Sequence, residues 1–400
     1  MSKTFPLKTL FFLAAILLIV AQGCTGASFA PSLTAGNSTI PDPSTLEPFT
    51  TAQVEASVSP AEIHNFVVSP SLVQIDMFDE LNGWALTGQG VLRTTDGGIG
   101  WIDAGPDAIF PADAVLHNFF LDADTGWVLP VDPQSSAETG TLYRTSDAGQ
   151  TWELVTLPFS AGQLYFIDPQ NGWALVDRGV AAGSHAVDIY QTTDGGSLWD
   201  RVHSIDPSQP EQPGSLRFGG VKNGLAFRDQ THGWIGGTVP CEACVWLYLT
   251  QDGGRTWQSQ DLEIPADFTS HFLSIDPPRF FNSQDGVLPV AFFAETSARD
   301  FYVTHDGGGT WNATTPVPLA GLYSLPTPQD FFTWQETSLA ASHDGGQTWT
   351  QIAPNIDLGP SLLQLEFVNA STGWAISAAE DGQRHLYKST DGGATWTRLF

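Results

Sequence analysis

The sequence predicts an all-β protein built from seven repeated units, each a small antiparallel sheet of four short strands. An eight-residue turn motif occurs seven times, and a Gly-Trp pair precedes most of its copies. The 400 residues include 40 Gly, 27 Pro and 14 Trp, which suits turn-rich sheets better than helices. A hydrophobic content of 42% is enough for a packed core, so a chain disordered throughout is excluded.

The turn motif, called the Asp turn below, has the general form Thr/Ser-x-Asp-Gly-Gly-x-Thr-Trp. The carboxylate can accept hydrogen bonds from backbone N–H groups of its own loop, and the Gly pair supplies positive φ angles. The Trp covers the outer end of the sheet with a large apolar surface. We therefore predict a structural role for all seven copies. Their Asp and Trp residues are Asp96, Asp147, Asp194, Asp252, Asp306, Asp344 and Asp391, and Trp101, Trp152, Trp199, Trp257, Trp311, Trp349 and Trp396.

Each unit divides into four strands, and the Gly-Trp pair begins the second strand of five units. The sixth unit has the shortest repeat and offers only Phe332-Thr333-Trp334, so we expect its sheet to be the most irregular. Ala148 replaces the first Gly of the second Asp turn, while Gly100 and Leu198 replace the usual Thr. In the seventh unit the predicted strands are Leu363–Val368, Gly373–Ser377, His385–Thr390 and Thr395–Phe400.

These marks resemble the Asp-box, or BNR, repeat over roughly residues 70–400. The resemblance implies one repeat per blade, and hence a seven-bladed β-propeller of four-stranded antiparallel blades over residues 63–400. A closed ring suits such units because each small sheet buries its faces only against neighbouring sheets. Whether Ile63–Val68 adds a strand that clasps the ring is left open.

The N-terminal segment has the features of an export signal. In residues 1–23 two lysines precede an apolar run that is about half the length needed to span a bilayer. Ala21-Gln22-Gly23-Cys24 resembles the bacterial lipobox, which implies lipidation of Cys24; a plain signal peptide cleaved nearby is the alternative. Residues 24–62, rich in Ser, Thr and Pro, are predicted to be a tether. We therefore expect an exported, extracytoplasmic protein that is lipid-anchored to the membrane.

Charge and cysteine content limit the possible ligands. Acidic residues outnumber basic ones 43 to 15, and a formal charge of −28 repels phosphate backbones, which excludes nucleic acid as a partner. Cys241 and Cys244 lie in one loop, and outside the cytoplasm a local disulfide is favoured. A redox pair and half of a metal site are the alternatives. Because no two His residues share a metal-ligand spacing, we expect neither a metal nor a cofactor.

The connectivity separates two faces of the predicted disc. The Asp turns join strands three and four, so they share a face with the turns between strands one and two. The longer and more variable connections lie on the opposite face, called the loop face below, where binding residues usually occur on a rigid scaffold. We therefore expect a binding site there, around the central channel. Its candidate residues are Glu138, Arg178, His185, Arg217, Glu242, His271, Arg299 and Arg384.

The Gly-Trp-Ala-Leu segments and the Thr-Thr-Asp-Gly-Gly turns also resemble the seven-bladed family of photosystem II assembly and stability factors. Sialidases share Asp-box turns, but their Arg-Ile-Pro element is missing here. We identify no catalytic set and predict a non-catalytic, membrane-tethered propeller that binds a protein partner or assists assembly of a membrane complex. The alternatives are a glycoside hydrolase of the sialidase or xyloglucanase type and a carbohydrate-binding propeller.

Overall fold

The computed structural model confirms the seven-bladed β-propeller. The described residues form 30 strands and two short 3-10 helices, Ala266–Phe268 and Gly359–Ser361. None of their helices is long and apolar enough to cross a membrane. The predicted signal, Cys24 and the tether lie outside the described residues. The structure describes residues 66–108, 110–111, 113–181, 183–205, 211–318, 321–380 and 382–400.

Each blade is formed by a contiguous run of chain and, apart from β1 of blade one, begins at its innermost strand and continues outwards. Blade one has a fifth strand, β1, which pairs with β5 at the outer edge of the sheet. The strands of blades one to three are β1 (Phe66–Val67), β2 (Leu72–Met77), β3 (Gly83–Thr87), β4 (Val91–Thr94), β5 (Trp101–Asp103), β6 (Val115–Phe120), β7 (Gly126–Val131), β8 (Gly140–Thr145), β9 (Glu153–Leu157), β10 (Gln163–Phe166), β11 (Gly172–Ala181), β12 (Ser184–Thr192) and β13 (Asp200–Ser204).

Blades four and five share one continuous sheet, because the end of β15 pairs with β18 at Thr238 and Ser274. The inner strand of blade five is interrupted after Ile275 and resumes as β19, so this blade is the irregular one. The strands of blades four to seven are β14 (Val221–Phe227), β15 (Gly233–Glu242), β16 (Leu247–Thr250), β17 (Gln258–Ser259), β18 (Phe272–Ile275), β19 (Arg279–Phe280), β20 (Gly286–Phe293), β21 (Ser297–Thr304), β22 (Val317–Pro318), β23 (Tyr323–Ser324), β24 (Phe331–Gln335), β25 (Ser338–Ser342), β26 (Thr350–Ile352), β27 (Leu362–Phe367), β28 (Gly373–Ala378), β29 (Arg384–Ser389) and β30 (Thr397–Arg398).

In the five blades that have it, the Gly-Trp pair packs against the next blade. In blade two, Gly126 leaves room for the aromatic ring that ends the inner strand, since an added Cβ would lie 2.5 Å from Phe120. Trp127 then stacks on Phe166 of blade three with ring centroids 3.6 Å apart. Its Nε1 donates to the carbonyl of Gly195 in the Asp turn of blade three at 2.9 Å. The pair therefore serves packing within one blade and hydrogen bonding to the next.

Blade six uses a different pair for the same purpose. Phe331 and Phe332 occupy the positions of Gly and Trp, and Phe332 stacks on Phe367 of blade seven at 3.8 Å. Trp334 is not the equivalent of the Gly-Trp tryptophan, because its Nε1 donates to the carbonyl of Glu336 within its own hairpin. Contrary to the sequence expectation, blade six is a regular four-stranded sheet.

The last blade closes the ring against the first. The Gln364 side chain accepts from the backbone N–H of Ile75 at 2.9 Å and donates to the carbonyl of Ile75 at 2.7 Å. The indole of Trp374 donates to the carbonyl of Gly97 at 2.9 Å, as its counterparts do between other blades. Blades one and seven also share one apolar core cluster. Ring closure therefore combines an indole hydrogen bond to an Asp turn, which Trp127 and Trp173 also make, with a shared apolar core and an amide bridge.

The Asp turns share one hydrogen-bond pattern. In all seven, Oδ1 of the Asp accepts from the Thr or Ser hydroxyl two residues earlier at 2.7–2.9 Å and from the backbone N–H four residues later at 2.8–2.9 Å. Gly97 N–H donates to the carbonyl of Leu81, which places the Asp turn beside the turn joining strands one and two. Ala148 adopts the left-handed φ of 62° that its Gly counterparts adopt.

Candidate functional site

The innermost strands place one side chain per blade at an equivalent position. Each stands seven residues before the residue that opens the second strand, Gly in six blades and Phe331 in blade six. Most of the core around these strands is apolar, yet four of the seven side chains are ionisable. We call this set the channel ring: Asp76, Phe119, Tyr165, Ala226, Arg279, Ser324 and Glu366.

Polar members of the channel ring face one another around the propeller axis. Arg279 of blade five lies within electrostatic reach of Glu366 in blade seven and of Tyr165 in blade three. These partners lie two blades away on either side, so the side chains can interact only by facing the axis. Burial lowers the pKa of Arg279, while those two partners and Tyr323 oppose the shift.

Asp76 is a buried carboxyl on β2, with 5% of its surface exposed. Its Oδ2 accepts hydrogen bonds from the amides of Gln74 at 2.8 Å and Asn118 of blade two at 3.3 Å. Burial nevertheless raises the pKa of Asp76 to about 7, because the loss of water around the carboxylate outweighs these two bonds. The side chain is therefore available for proton transfer near neutral pH.

Glu366 on β27 is the second buried carboxyl, with 6% of its surface exposed. Its Oε1 accepts from the backbone N–H of Met77 at 2.8 Å, while its Oε2 has no hydrogen-bond partner among the described residues. Burial, and then the nearby charge of Asp76, raise the pKa of Glu366 well above its usual range. Glu366 therefore lies on one side of β2 and Asp76 faces the other, and their titrations are linked.

A second polar group borders the channel ring in blades five and six. Arg299 is buried and donates to Asp276 at 3.2 Å, and the hydroxyl of Tyr323 donates to the same carboxylate oxygen at 3.0 Å. The guanidinium of Arg299 also lies 4.5 Å from the centre of the Tyr323 ring. These contacts hold Tyr323 beside Arg279. Of the loop-face candidates, Arg299 is thus the one placed near the polar side chains of the channel.

The other loop-face candidates are dispersed. Arg178 pairs with Asp188 at 3.7 Å, and Arg384 donates to the carbonyl of Leu72. No hydrogen bond or ion pair between described residues joins any two of the eight candidates. Exposed positions are taken by Glu138, Arg217 and Glu242, while His271 is partly buried and His185 is buried.

His185 belongs to a lysine-centred cluster between blades three and four. Buried Lys222 donates from Nζ to the carbonyls of His185, Arg217, Phe218 and Gly220 at 2.7–3.0 Å. Burial lowers the pKa of Lys222 to about 7. Since all four acceptors are backbone groups, this lysine fixes the connection before β14, and nothing in its contacts indicates chemistry.

The remaining sequence candidates lie apart from the channel ring. Cys241, near the end of β15, forms a disulfide with Cys244 in the connection to β16. Among the described residues, no group of three or more His, Cys, Asp or Glu side chains could hold a metal ion.

Sequence reasoning missed Asp76, Tyr165, Arg279 and Glu366. The signal that could have found them is their constant distance from the Gly that opens the second strand. A charged residue at that position in an otherwise apolar strand must face either the channel or a neighbouring blade.

Comparison with known proteins identifies two curated relatives by sequence. A xyloglucanase from Paenibacillus sp is 23% identical over 281 residues, covering 65% of this chain and 24% of the relative. A xyloglucanase from Hypocrea jecorina (strain QM6a) is 23% identical over 275 residues, covering 58% of this chain and 31% of the relative. The chain therefore spans about a quarter to a third of the length of the curated relatives it matches. No protein-family model matches it.

Among solved structures, YCF48 bound to a D1 peptide is 17% identical and has a TM-score of 0.51, covering 82% of this chain and 94% of YCF48. At this identity the likeness shows the propeller fold alone. The xyloglucanase relatives correct the functional prediction made from the sequence. The non-catalytic interpretation was wrong, and the glycoside hydrolase alternative is favoured instead.

Proposed function

We propose that the protein is a glycoside hydrolase that acts on xyloglucan or a related polysaccharide, with Asp76 and Glu366 as its catalytic carboxyls. The observation that carries the proposal is this pair of buried, electrostatically linked carboxyls in the channel ring. Most glycoside hydrolases use two carboxyl groups that flank the bond to be broken. The two xyloglucanase relatives support the substrate class. The seven Asp turns support membership of the Asp-box propellers.

The different surroundings of the two carboxyls assign their roles. Glu366 has one oxygen, Oε2, without a hydrogen-bond partner among the described residues, so it serves as the general acid that protonates the leaving glycosidic oxygen. Asp76 receives two amide hydrogen bonds that favour its carboxylate form, so it accepts a proton from the attacking water. The glycosidic C–O bond breaks, a new C–O bond to water forms, and the proton lost by Glu366 is balanced by the one gained at Asp76.

The experiment measures new reducing ends released from xyloglucan by purified protein. We expect Asp76→Asn and Glu366→Gln each to lower kcat by roughly 10²–10⁴-fold, the usual contribution of general acid–base groups. Circular dichroism should show an intact fold for both variants. Glu153→Gln is the matched control, because Glu153 lies exposed on the outermost strand of blade two. Wild-type protein that releases no sugar, or variants that retain full activity, would overturn the proposal.

We further propose that the enzyme works outside the cytoplasm, tethered to a membrane through Cys24. The basic and apolar leader and the lipobox-like segment support this placement. A polysaccharide substrate would also be met outside the cell. Metabolic labelling with a fatty acid tests the anchor: label should be incorporated into the wild type and lost in Cys24→Ala. Equal labelling of both proteins would contradict the anchor without affecting the proposed chemistry.

A further inference from the structure

We infer that the enzyme acts on the ends of glycan chains, and that Arg279 holds the terminal sugar unit beside Asp76 and Glu366. This inference rests on the proposed function and concerns the mode of attack. It follows from where the carboxyls lie in a closed ring and from two buried atoms, Arg279 Nε and Glu366 Oε2, that have no hydrogen-bond partner among the described residues.

A glycan can reach Asp76 and Glu366 from one direction only. Asp76 and Glu366 lie on the innermost strands of blades one and seven, and 5–6% of their surface is exposed. The interface between these two blades is closed by the Gln364 bridge, by Trp374 and by a shared apolar core. A glycan cannot reach the carboxyls from the side of the disc without separating those blades. It has to approach along the axis.

The closed ring also determines which part of a polysaccharide chain can reach the two carboxyls. A polysaccharide bound at an internal bond needs a groove in which the chain continues in both directions from the cleavage point. Around the channel ring, inner strands from all seven blades surround the axis. A chain that enters along the axis presents its end, so the unit next to the carboxyls is the terminal one.

Arg279 offers a hydrogen-bond donor that no described residue of the protein accepts. Arg279 is half-buried, and its Nε is buried without a hydrogen-bond partner among the described residues. Buried polar atoms nearly always have partners, and Arg279 lies within electrostatic reach of Glu366, so its unpaired Nε is a donor that a ligand group can use. Glu366 Oε2 across the axis is unpaired as well. With the glycosidic oxygen of a terminal sugar at Glu366 Oε2, a hydroxyl of the same sugar can accept from Arg279.

The experiment follows product size during the first few per cent of xyloglucan hydrolysis. We expect one short product from the earliest time point, while the viscosity of the polymer solution falls little. A broad range of fragment sizes with an early fall in viscosity would overturn chain-end attack and leave the proposed hydrolase intact. Absence of any released sugar would instead remove the proposed function, and this inference with it.

The role of Arg279 is tested by separating KM from kcat. Arg279→Gln should raise KM for xyloglucan roughly tenfold, as expected for the loss of a charged hydrogen bond, and should change kcat less. Arg279→Lys should recover part of the loss, because it restores the charge without the planar donor group. An unchanged KM in Arg279→Gln, with a stable fold, would contradict the role of Arg279 in holding the terminal sugar.

Discussion

At the scale of single residues, the two buried carboxyls, Asp76 and Glu366, lower the free energy of unfolding as pH rises. Because the folded-state pKa of Asp76 is raised from 3.8 to about 7, the folded protein binds more protons than the unfolded chain across that interval. Stability is therefore fully present below about pH 4 for this group and is lost as pH rises towards 7. Glu366 acts in the same direction.

Urea denaturation at pH 5 and pH 8 measures this effect. We expect the free energy of unfolding to be about 2–4 kcal/mol lower at pH 8 for the wild type, and to differ less for Asp76→Asn. The carboxylates of the Asp turns have the opposite sign: hydrogen bonding lowers the pKa of Asp306 to about 2, so their contribution is lost only in strong acid. A wild type that is more stable at pH 8 would contradict the buried state of the pair.

Leu198 stands in the third Asp turn where most of the other turns have Thr. In five of the turns a Thr hydroxyl donates to Oδ2 of the Asp at 2.6–2.8 Å. Leu198 lacks this hydroxyl and exposes 74% of its surface. Leu198→Thr should therefore stabilise the protein by roughly 0.5–1 kcal/mol. Thermal unfolding checks this, with Thr256→Leu as the reverse substitution, which should lower the melting temperature.

At the scale of the strand, the Gly of the Gly-Trp pair is required by packing. A Cβ added to Gly233 would lie 2.4 Å from the Phe227 ring, which is buried at the interface with blade three. Gly233→Ala should destabilise the protein by roughly 1–3 kcal/mol through overpacking. Gly88→Ala is the control, since nothing lies within 4 Å of its added Cβ. Equal unfolding midpoints for the two variants would refute the packing role.

The strands were the part of the fold most accessible from sequence. The predicted strand Gly373–Ser377 lies within one residue of the observed Gly373–Ala378, because a Gly-Trp pair marks its start. Blade six was misjudged, because the function of the Gly-Trp pair was unknown. Once the pair is understood as a ring stacked on the next blade, Phe331 and Phe332 are recognisable substitutes. The break in the inner strand of blade five has no comparable signal in the sequence, since it depends on pairing with the neighbouring blade.

At the scale of the whole molecule, stability depends on closing the ring. The Gln364 amide makes two hydrogen bonds to Ile75 across the interface of blades seven and one. Gln364→Ala should lower the free energy of unfolding by roughly 1–3 kcal/mol, because it leaves the backbone N–H and C=O of Ile75 without partners. Urea denaturation checks this, and Gln134→Ala, an exposed loop change, is the control. A midpoint unchanged by Gln364→Ala would show that closure relies on the apolar core alone.

The candidate site was the least accessible from sequence. The Asp turns and the number of blades follow from local repeats, but the meeting of Asp76, Arg279 and Glu366 depends on closing seven units into a circle. Charge composition gave no help, because two acidic side chains among 43 acidic residues do not stand out. Only their common position relative to the Gly that opens the second strand distinguishes them, and that position has meaning once the inner strand is known to face the axis.

Each repeat contributes one residue to the channel ring, always seven positions before the residue that opens its second strand. Seven positions in the sequence therefore determine the chemistry at the centre of the molecule. In chain order from blade one, these positions hold Asp, Phe, Tyr, Ala, Arg, Ser and Glu. Several of these residues also contact the next blade: Glu366 accepts from the N–H of Met77, Ser324 accepts from the N–H of Phe367, and the Tyr165 hydroxyl donates to the carbonyl of Phe227. The same seven positions therefore set the polarity of the centre and hold neighbouring blades together, so a change of chemistry there has to preserve these contacts between blades.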